Sequence, residues 1–228
     1  MKALHPITVM LAEDHMIVRE GLYSILVAEG DIEVVGQAQD GRQAVELAQK
    51  LRPAVIVMDI AMPRLNGLEA TRQILKAAPA TRILILSAHS DDAYVEQVMA
   101  LGAAGYLIKQ TSIMILAKAI REASKGNTFF SPSIAKRLRD RENRSLDREG
   151  LHSKKIATLT SREVEVLQLI AEGKANKETA SELNISIKTV EKHRQALMGK
   201  LNIHDIAGLT RYAISAGVIE NSVQLTII

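Results

Sequence analysis

Through its first 125 residues the chain alternates short apolar runs with stretches of helical period. Strand-length runs stand at 7–12, 33–38, 54–58, 82–86 and 105–108, rich in Val, Ile and Leu. Between and after them the apolar spacing lengthens to that of a helix. Val18, Leu22, Ile25 and Leu26 mark a helix over 15–28. Ala44, Val45, Leu47, Ala48 and Leu51 mark the inward side of another over 41–51, ended by Pro53. Further helices are predicted near 66–77 (closed by Pro79), 91–101 and 112–125. Five strand–helix units with no β-only stretch predict an α/β domain built on a five-stranded, doubly wound parallel sheet. The third and fourth runs are apolar throughout, as central strands covered on both faces should be.

The pattern then breaks. Gly126, Asn127, Pro132 and Ser133 interrupt it, and 136–149 is dense in Arg, Asp and Glu. A linker over 126–153 is expected, either flexible or carrying one solvated helix near 133–144. From 154 to 220 the period is helical only. Thr160-Ser-Arg-Glu163 forms a capping box before Val164, Val166, Leu167, Leu169 and Ile170. Gly173 ends that helix, and Asn176 can cap the next, which carries Ala180 and Leu183. The turn Asn184-Ile-Ser-Ile187 leads to a longer helix with Val190, Leu197 and Leu201 on one side. A fourth helix runs from about 205 to 216. Two helices joined by so short a turn, the second studded with Lys, Arg, His and Gln, make a helix-turn-helix pattern. The apolar tail 221–228 lies outside it.

Composition narrows the options. With no cysteine among 228 residues, a disulfide framework, a thiolate metal site and a Cys nucleophile are all excluded. No basic N-terminal stretch precedes a long apolar core, and no run approaches the roughly 20 residues of a membrane span, so a cytoplasmic protein without membrane partners is expected. The formal charge of +3 is unevenly spread. Residues 1–125 carry 13 Lys/Arg against 14 Asp/Glu, and 126–228 carry 16 against 12. The positive excess therefore belongs to the helical half, where a nucleic-acid partner would need it.

Five polar residues follow the apolar runs: Glu13, Asp14, Asp59, Ser87 and Lys109. In an open parallel sheet the carboxyl ends of the strands share one edge, where ligands bind. Three carboxylates gathered there need a cation, and hard oxygen donors favour Mg²⁺ (or Mn²⁺). Asp59 is then a candidate carboxylate nucleophile toward a phosphoryl group, with Lys109 as charge partner and Ser87 as hydrogen-bond donor. Strand-end carboxylates can also be purely structural.

These residues resemble the receiver domain of two-component response regulators over 5–125. The match comprises Glu13-Asp14, Asp59 with Met62-Pro63 and Gly67, Ser87-Ala88, and Lys109 with Tyr106 three residues before it. The resemblance implies the strand order 2-1-3-4-5 and phosphorylation of Asp59 by a sensor histidine kinase. It also implies a metal on Glu13, Asp14 and Asp59, and a switch in which Ser87 and Tyr106 move together. Gln110 stands where the family usually places a proline after a cis bond. Ala61 and His89, two positions after Asp59 and Ser87, could influence attack by water on the phosphate, or could have no role.

Residues 158–220 resemble the LuxR-type helix-turn-helix of NarL/FixJ-type regulators. The motif residues are Leu159-Thr-Ser-Arg-Glu163, Val166-Leu167, Ala171-Glu-Gly173, Asn176-Lys-Glu178, Ala180, Leu183, Ile185-Ser186, Thr189-Val190, His193-Arg194 and Lys200-Leu201. Thr179 replaces the usual aliphatic residue. On the recognition helix Lys188, Glu191, Lys192 and Gln195 share the side opposite the core and can reach base edges. Thr189, His193, Arg194 and Lys200 are expected on phosphates. One such module makes few contacts, so two half-sites about 10 bp apart and a homodimer when phosphorylated are expected. Ile206, Leu209 and Ala213 are candidates for the dimer face or for intradomain core. RNA polymerase is a further expected partner. The reading is therefore a DNA-binding regulator and not an enzyme, although slow self-dephosphorylation is allowed. Its competitors are a small phosphohydrolase with Asp59 as nucleophile and a DNA binder indifferent to phosphorylation.

Overall fold

The computed structural model describes residues 5–88, 92–110, 113–136 and 159–219. The chain divides into two compact units, Met1–Lys154 and Lys155–Ile228.

In the first unit the strands are β1 (Ile7–Ala12), β2 (Ile32–Ala38), β3 (Val55–Asp59), β4 (Arg82–Ser87), β5 (Gly105–Ile108) and β6 (Phe129–Phe130). The helices are α1 (Met16–Val27), α2 (Gly41–Leu51), α3 (Gly67–Ala77), α4 (Asp92–Ala100) and α5 (Ile113–Ser124). The sheet is wholly parallel, in the order β2-β1-β3-β4-β5-β6. Alternation along each strand feeds two cores. Met10, Ile56, Met58, Ile83, Ile85 and Tyr106 pack with Ala44, Ala48, Ile74, Val95 and Val98 of α2, α3 and α4. Val9, Leu11, Val55, Val57, Leu84 and Leu107 pack with Leu26 of α1 and Leu116, Ala117 and Ile120 of α5. Local chemistry sets the helix starts. The Asp40 carboxylate accepts from Gln43 N–H and the Asn66 amide oxygen from Glu69 N–H.

Three expectations change. The sheet has six strands, because Phe129–Phe130 adds to β5 in parallel register. Residues 127–136, expected to open the linker, instead continue the domain. A helical segment begins at 132, and Ile134 is buried with the first core. The predicted helix 133–144 lies outside the described residues beyond 136, as does the tail 221–228. Leu51, assigned to the inward face of α2, is 36% exposed at the last turn, although its Cδ1 still reaches β2, where a Cβ on Gly36 would meet it.

The second unit holds α6 (Ser161–Ala171), α7 (Asn176–Glu182), α8 (Ile187–Leu201) and α9 (Ile206–Ser215). Thr160 and Glu163 form the expected reciprocal box at the start of α6. Ser186 caps α8 and Asp205 caps α9 through their side-chain oxygens. Asn176 does not cap α7. It is the first helical residue, and the Glu178 carboxylate accepts from Ala175 N–H in its place. The core gathers Val166, Leu167, Leu169, Ile170, Leu183, Leu197, Leu209 and Ala213.

Candidate functional site

The carboxyl edge of the sheet collects the residues that the spacing singled out. Asp59 ends β3 and Glu13 directly follows β1, and each side chain is 2% exposed. Lys109, just past β5, places its Nζ 2.9 Å from Asp59 Oδ2 and 2.9 Å from Glu13 Oε2. Its backbone N–H donates to the Ser87 carbonyl at 2.7 Å, which ties the ends of β4 and β5 together. Burial pulls the Lys109 ammonium down, but the Asp59 and Glu13 carboxylates outweigh it and hold it above the ordinary lysine value. Asp59 Oδ1 accepts from Ile60 N–H at 2.8 Å. The turn after β3 is pressed onto this residue. Gly67 N–H donates to the Ile60 carbonyl, and a Cβ on Gly67 would overlap the Asp59 carbonyl oxygen. Ser87 and Tyr106 are fully buried on β4 and β5. The peptide bond joining Lys109 to Gln110 is trans. Ala61 is half-buried in the turn after β3, and His89 lies outside the described residues.

Glu13, Asp14, His15 and Asp59 each bring a ligand atom within 4.8 Å of the others. Glu13 Oε2 and Asp14 Oδ1 are buried oxygens with no directed hydrogen bond among the described residues, despite Lys109 Nζ near the first and His15 Nδ1 near the second. Carboxylate oxygens gathered this closely fit a hard divalent cation, so the donor set suits Mg²⁺ or Mn²⁺.

Two members of this site were not singled out by spacing. His15 Nδ1 lies 2.9 Å from Asp14 Oδ1 and 3.1 Å from Glu13 Oε1. The Asp14 carboxylate raises its pKa, against burial and the Lys109 charge and with help from Glu13. Arg19, one turn into α1, donates to the Glu13 carbonyl at 2.6 Å and fixes the backbone of the acid pair. Their proximity to Glu13-Asp14 was the available signal. What it lacked was the sharp turn into α1 that folds both back over the pair.

On α8, Lys188, Glu191, Lys192 and Gln195 are all exposed on one side, while Val190 and Leu197 are fully buried on the other. The residues expected on phosphates divide. Thr189 shares a 2.8 Å hydrogen bond with the capping Ser186 hydroxyl, and His193 is half-buried. Arg194 donates to Asn176 Oδ1 on α7 at 2.8 Å. Lys200 donates to Glu163 Oε2 on α6 at 2.7 Å. Burial pushes the Glu163 carboxyl up, but Lys200 and the Thr160 N–H and hydroxyl more than offset it, leaving its pKa below the usual range. Leu209 and Ala213 are fully buried within the domain, so they are core rather than dimer face; only Ile206 of that trio is exposed, at 56%. The reason is phase: Leu209 and Ala213 lie on the side of α9 that packs on α6. Among the described residues no helix is long and apolar enough to cross a membrane.

Comparison with known proteins places both units. Residues 9–121 match the family model described as response regulator receiver domain. Residues 149–213 match bacterial regulatory proteins, luxR family. The transcriptional regulatory protein LiaR of Bacillus subtilis (strain 168) is 42% identical over 207 residues, covering 91% of this chain and 96% of that protein. The response regulator protein VraR of Staphylococcus aureus (strain COL) is 37% identical over 214 residues, covering 94% and 99%. Among solved structures, RcsB of Salmonella typhimurium aligns with TM-score 0.56 at 28% identity, over 92% of this chain and 99% of that one. A structure of two RcsB dimers bound to two parallel DNAs aligns with TM-score 0.57 at 29% identity, over 93% and 99%.

Proposed function

This chain belongs to the two-component response regulators that join a receiver domain to a LuxR-type DNA-binding domain, and from that premise we propose how its two sites act together. It is a DNA-binding transcriptional regulator. Asp59 is the phosphoacceptor for a sensor histidine kinase. An Asp59 carboxylate oxygen attacks the phosphorus of a phosphohistidine, the P–N bond breaks, and the imidazole nitrogen leaves with the electron pair and takes up a proton. Lys109 already sits 2.9 Å from Asp59 Oδ2, and its ammonium can follow the charge onto the phosphoryl oxygens. Mg²⁺ or Mn²⁺ held by Glu13, Asp14 and Asp59 would supply charge neutralisation on the transferred group. The Ser87 hydroxyl donates to a phosphoryl oxygen, and Tyr106 follows its displacement. The observation that carries this reading is the buried Asp59–Lys109–Glu13 constellation at three strand ends.

The output is DNA binding by residues 158–220. Lys188, Glu191, Lys192 and Gln195 read base edges in the major groove, with Thr189 and His193 on the backbone. Two copies on half-sites about 10 bp apart supply affinity, an arrangement in keeping with the RcsB dimers seen on DNA. Phosphorylation shifts a population toward the binding-competent dimer. The phosphoprotein acts in the cytoplasm, contacts RNA polymerase at its promoters and returns to the resting state by slow hydrolysis of the acyl phosphate.

The test is the ratio of operator affinities with and without a small phosphodonor and Mg²⁺. The wild-type ratio should depart from unity and the Asp59→Asn ratio should not. An identical shift in both proteins would exclude Asp59 as the input.

A further inference from the structure

The sixth strand lies against the strand that carries Tyr106. Tyr106 is fully buried in β5, and the chain that leaves the receiver unit is bonded to its backbone. The Tyr106 carbonyl accepts from Ser131 N–H at 3.0 Å, and the Ala104 carbonyl accepts from Phe129 N–H at 2.8 Å. Tyr106 pairs in register with Phe130. Close approach is enforced at Gly105, where a Cβ would overlap the Phe129 carbonyl oxygen. Beyond this bonded stretch the chain does not peel away. Ser131 is 2% exposed, and Ile134 is 1% exposed in the same buried cluster as Tyr106, Val95 and Val98.

We propose that residues 129–134 are the output element of the receiver, with Ser131 and Ile134 as positioning residues that transmit displacement of Tyr106 to the chain leading to the DNA-binding unit. Close-packed interiors do not deform smoothly. A Tyr106 ring that changes its position disturbs the buried cluster that it shares with Ile134, Val95 and Val98, and that cluster must repack or leave a void. The strand pairing gives that movement a direction, because Ser131 and Phe130 are held to the same backbone that carries the ring. On this account the receiver acts on its own exit segment, and any surface change on α4 is a second consequence of the same event. The inference rests on the Asp59 reading above.

The experiment uses the full chain with acetyl phosphate and Mg²⁺, and intact mass first reports whether the adduct has formed. In labelled wild type, amide exchange over 129–136 should change relative to unlabelled protein, and Asp59→Asn should show no change. Ile134→Ala should accept phosphate at the wild-type rate, yet lose the phosphorylation-dependent shift in operator affinity. A wild-type shift of roughly fivefold or more, in the usual range of allosteric couplings, should fall close to unity. Ile134→Val, which keeps most of the buried side-chain volume, should retain the shift. A labelled Ile134→Ala with an undiminished shift overturns the proposal, as does unchanged exchange over 129–136 in labelled wild type. Absence of an adduct in wild type would instead strike the Asp59 reading, so the two failures separate. If Ile134→Ala unfolds, the exchange comparison in wild type decides.

Discussion

The strand-end pocket and the recognition helix are both dense in charge, but they reveal their chemistry in opposite ways. In the pocket, Asp59 and Glu13 are each 2% exposed and share one ammonium. Burial of that kind is costly, so the side chains present must be held there by a partner or a ligand. On α8 the charges are mostly exposed, and exposure costs nothing. Their roles can be sorted only by asking which of them already have a partner. Arg194 and Lys200 do, on α7 and α6. Lys188, Lys192, Glu191 and Gln195 stand out toward solvent. A buried charge thus announces its function by its burial, and an exposed one by what its neighbours leave undone.

The largest expected effect tests the buried side of this contrast. Lys109→Met leaves two buried carboxylates without their cation, at a cost of about 3–5 kcal/mol. Thermal unfolding in the presence of a chelator should show that loss, and added Mg²⁺ should restore part of it. A variant as stable as wild type under both conditions would mean that the pocket's charges are not coupled.

On the exposed side, Lys192→Ala with Gln195→Ala should weaken specific DNA binding by about 1–3 kcal/mol per lost base contact, and non-specific binding less. An equal loss on both kinds of DNA would show that neither side chain reads bases.

Lys200 marks the border between the two regimes. If it is a brace on Glu163 and not a phosphate contact, Lys200→Met should leave the salt dependence of DNA binding unaltered. A phosphate contact would reduce that slope by about one. The same pair carries a pH signature. The folded Glu163 pKa lies below its unfolded value, so its contribution to stability is present above the unfolded value and disappears as pH falls through the folded one. Acid unfolding of the full chain, followed by a probe in α6, should lose this component in Lys200→Met.

The smallest effect comes from Thr179, whose buried hydroxyl has no hydrogen-bond partner among the described residues. Thr179→Val should stabilise the domain by about 1 kcal/mol, read as a raised midpoint of denaturant unfolding. Destabilisation would mean that the hydroxyl has a role the packing does not show.

How much could be read in the sequence follows the same contrast. Spacing alone brought Glu13, Asp59, Ser87 and Lys109 to one edge, because strand period and parallel topology leave little freedom in where a strand end points. β6 escaped notice, since two residues, Phe129–Phe130, carry no period. The exit segment reads as linker in the sequence because the Gly and Pro that punctuate it also punctuate loops. The part that His15 and Arg19 play in the pocket depends on the turn into α1, which periodicity does not encode. For Arg194 and Lys200, expected on phosphates, helical spacing carries no sign of the neighbours that hold them. A helical wheel shows which way a side chain leaves its helix, but not that Asn176 or Glu163 waits there. The Leu209 and Ala213 ambiguity was of that kind too, and packing against α6 resolved it.

If the Asp59–Lys109–Glu13 constellation is a chemical input and not a catalytic centre, the protein incubated with Mg²⁺ and excess acetyl phosphate should carry one phosphoryl group per chain by intact mass. That group should be absent in Asp59→Asn, and inorganic phosphate should be released only slowly. Rapid steady turnover of the donor, or full labelling of Asp59→Asn, would contradict that role as an input.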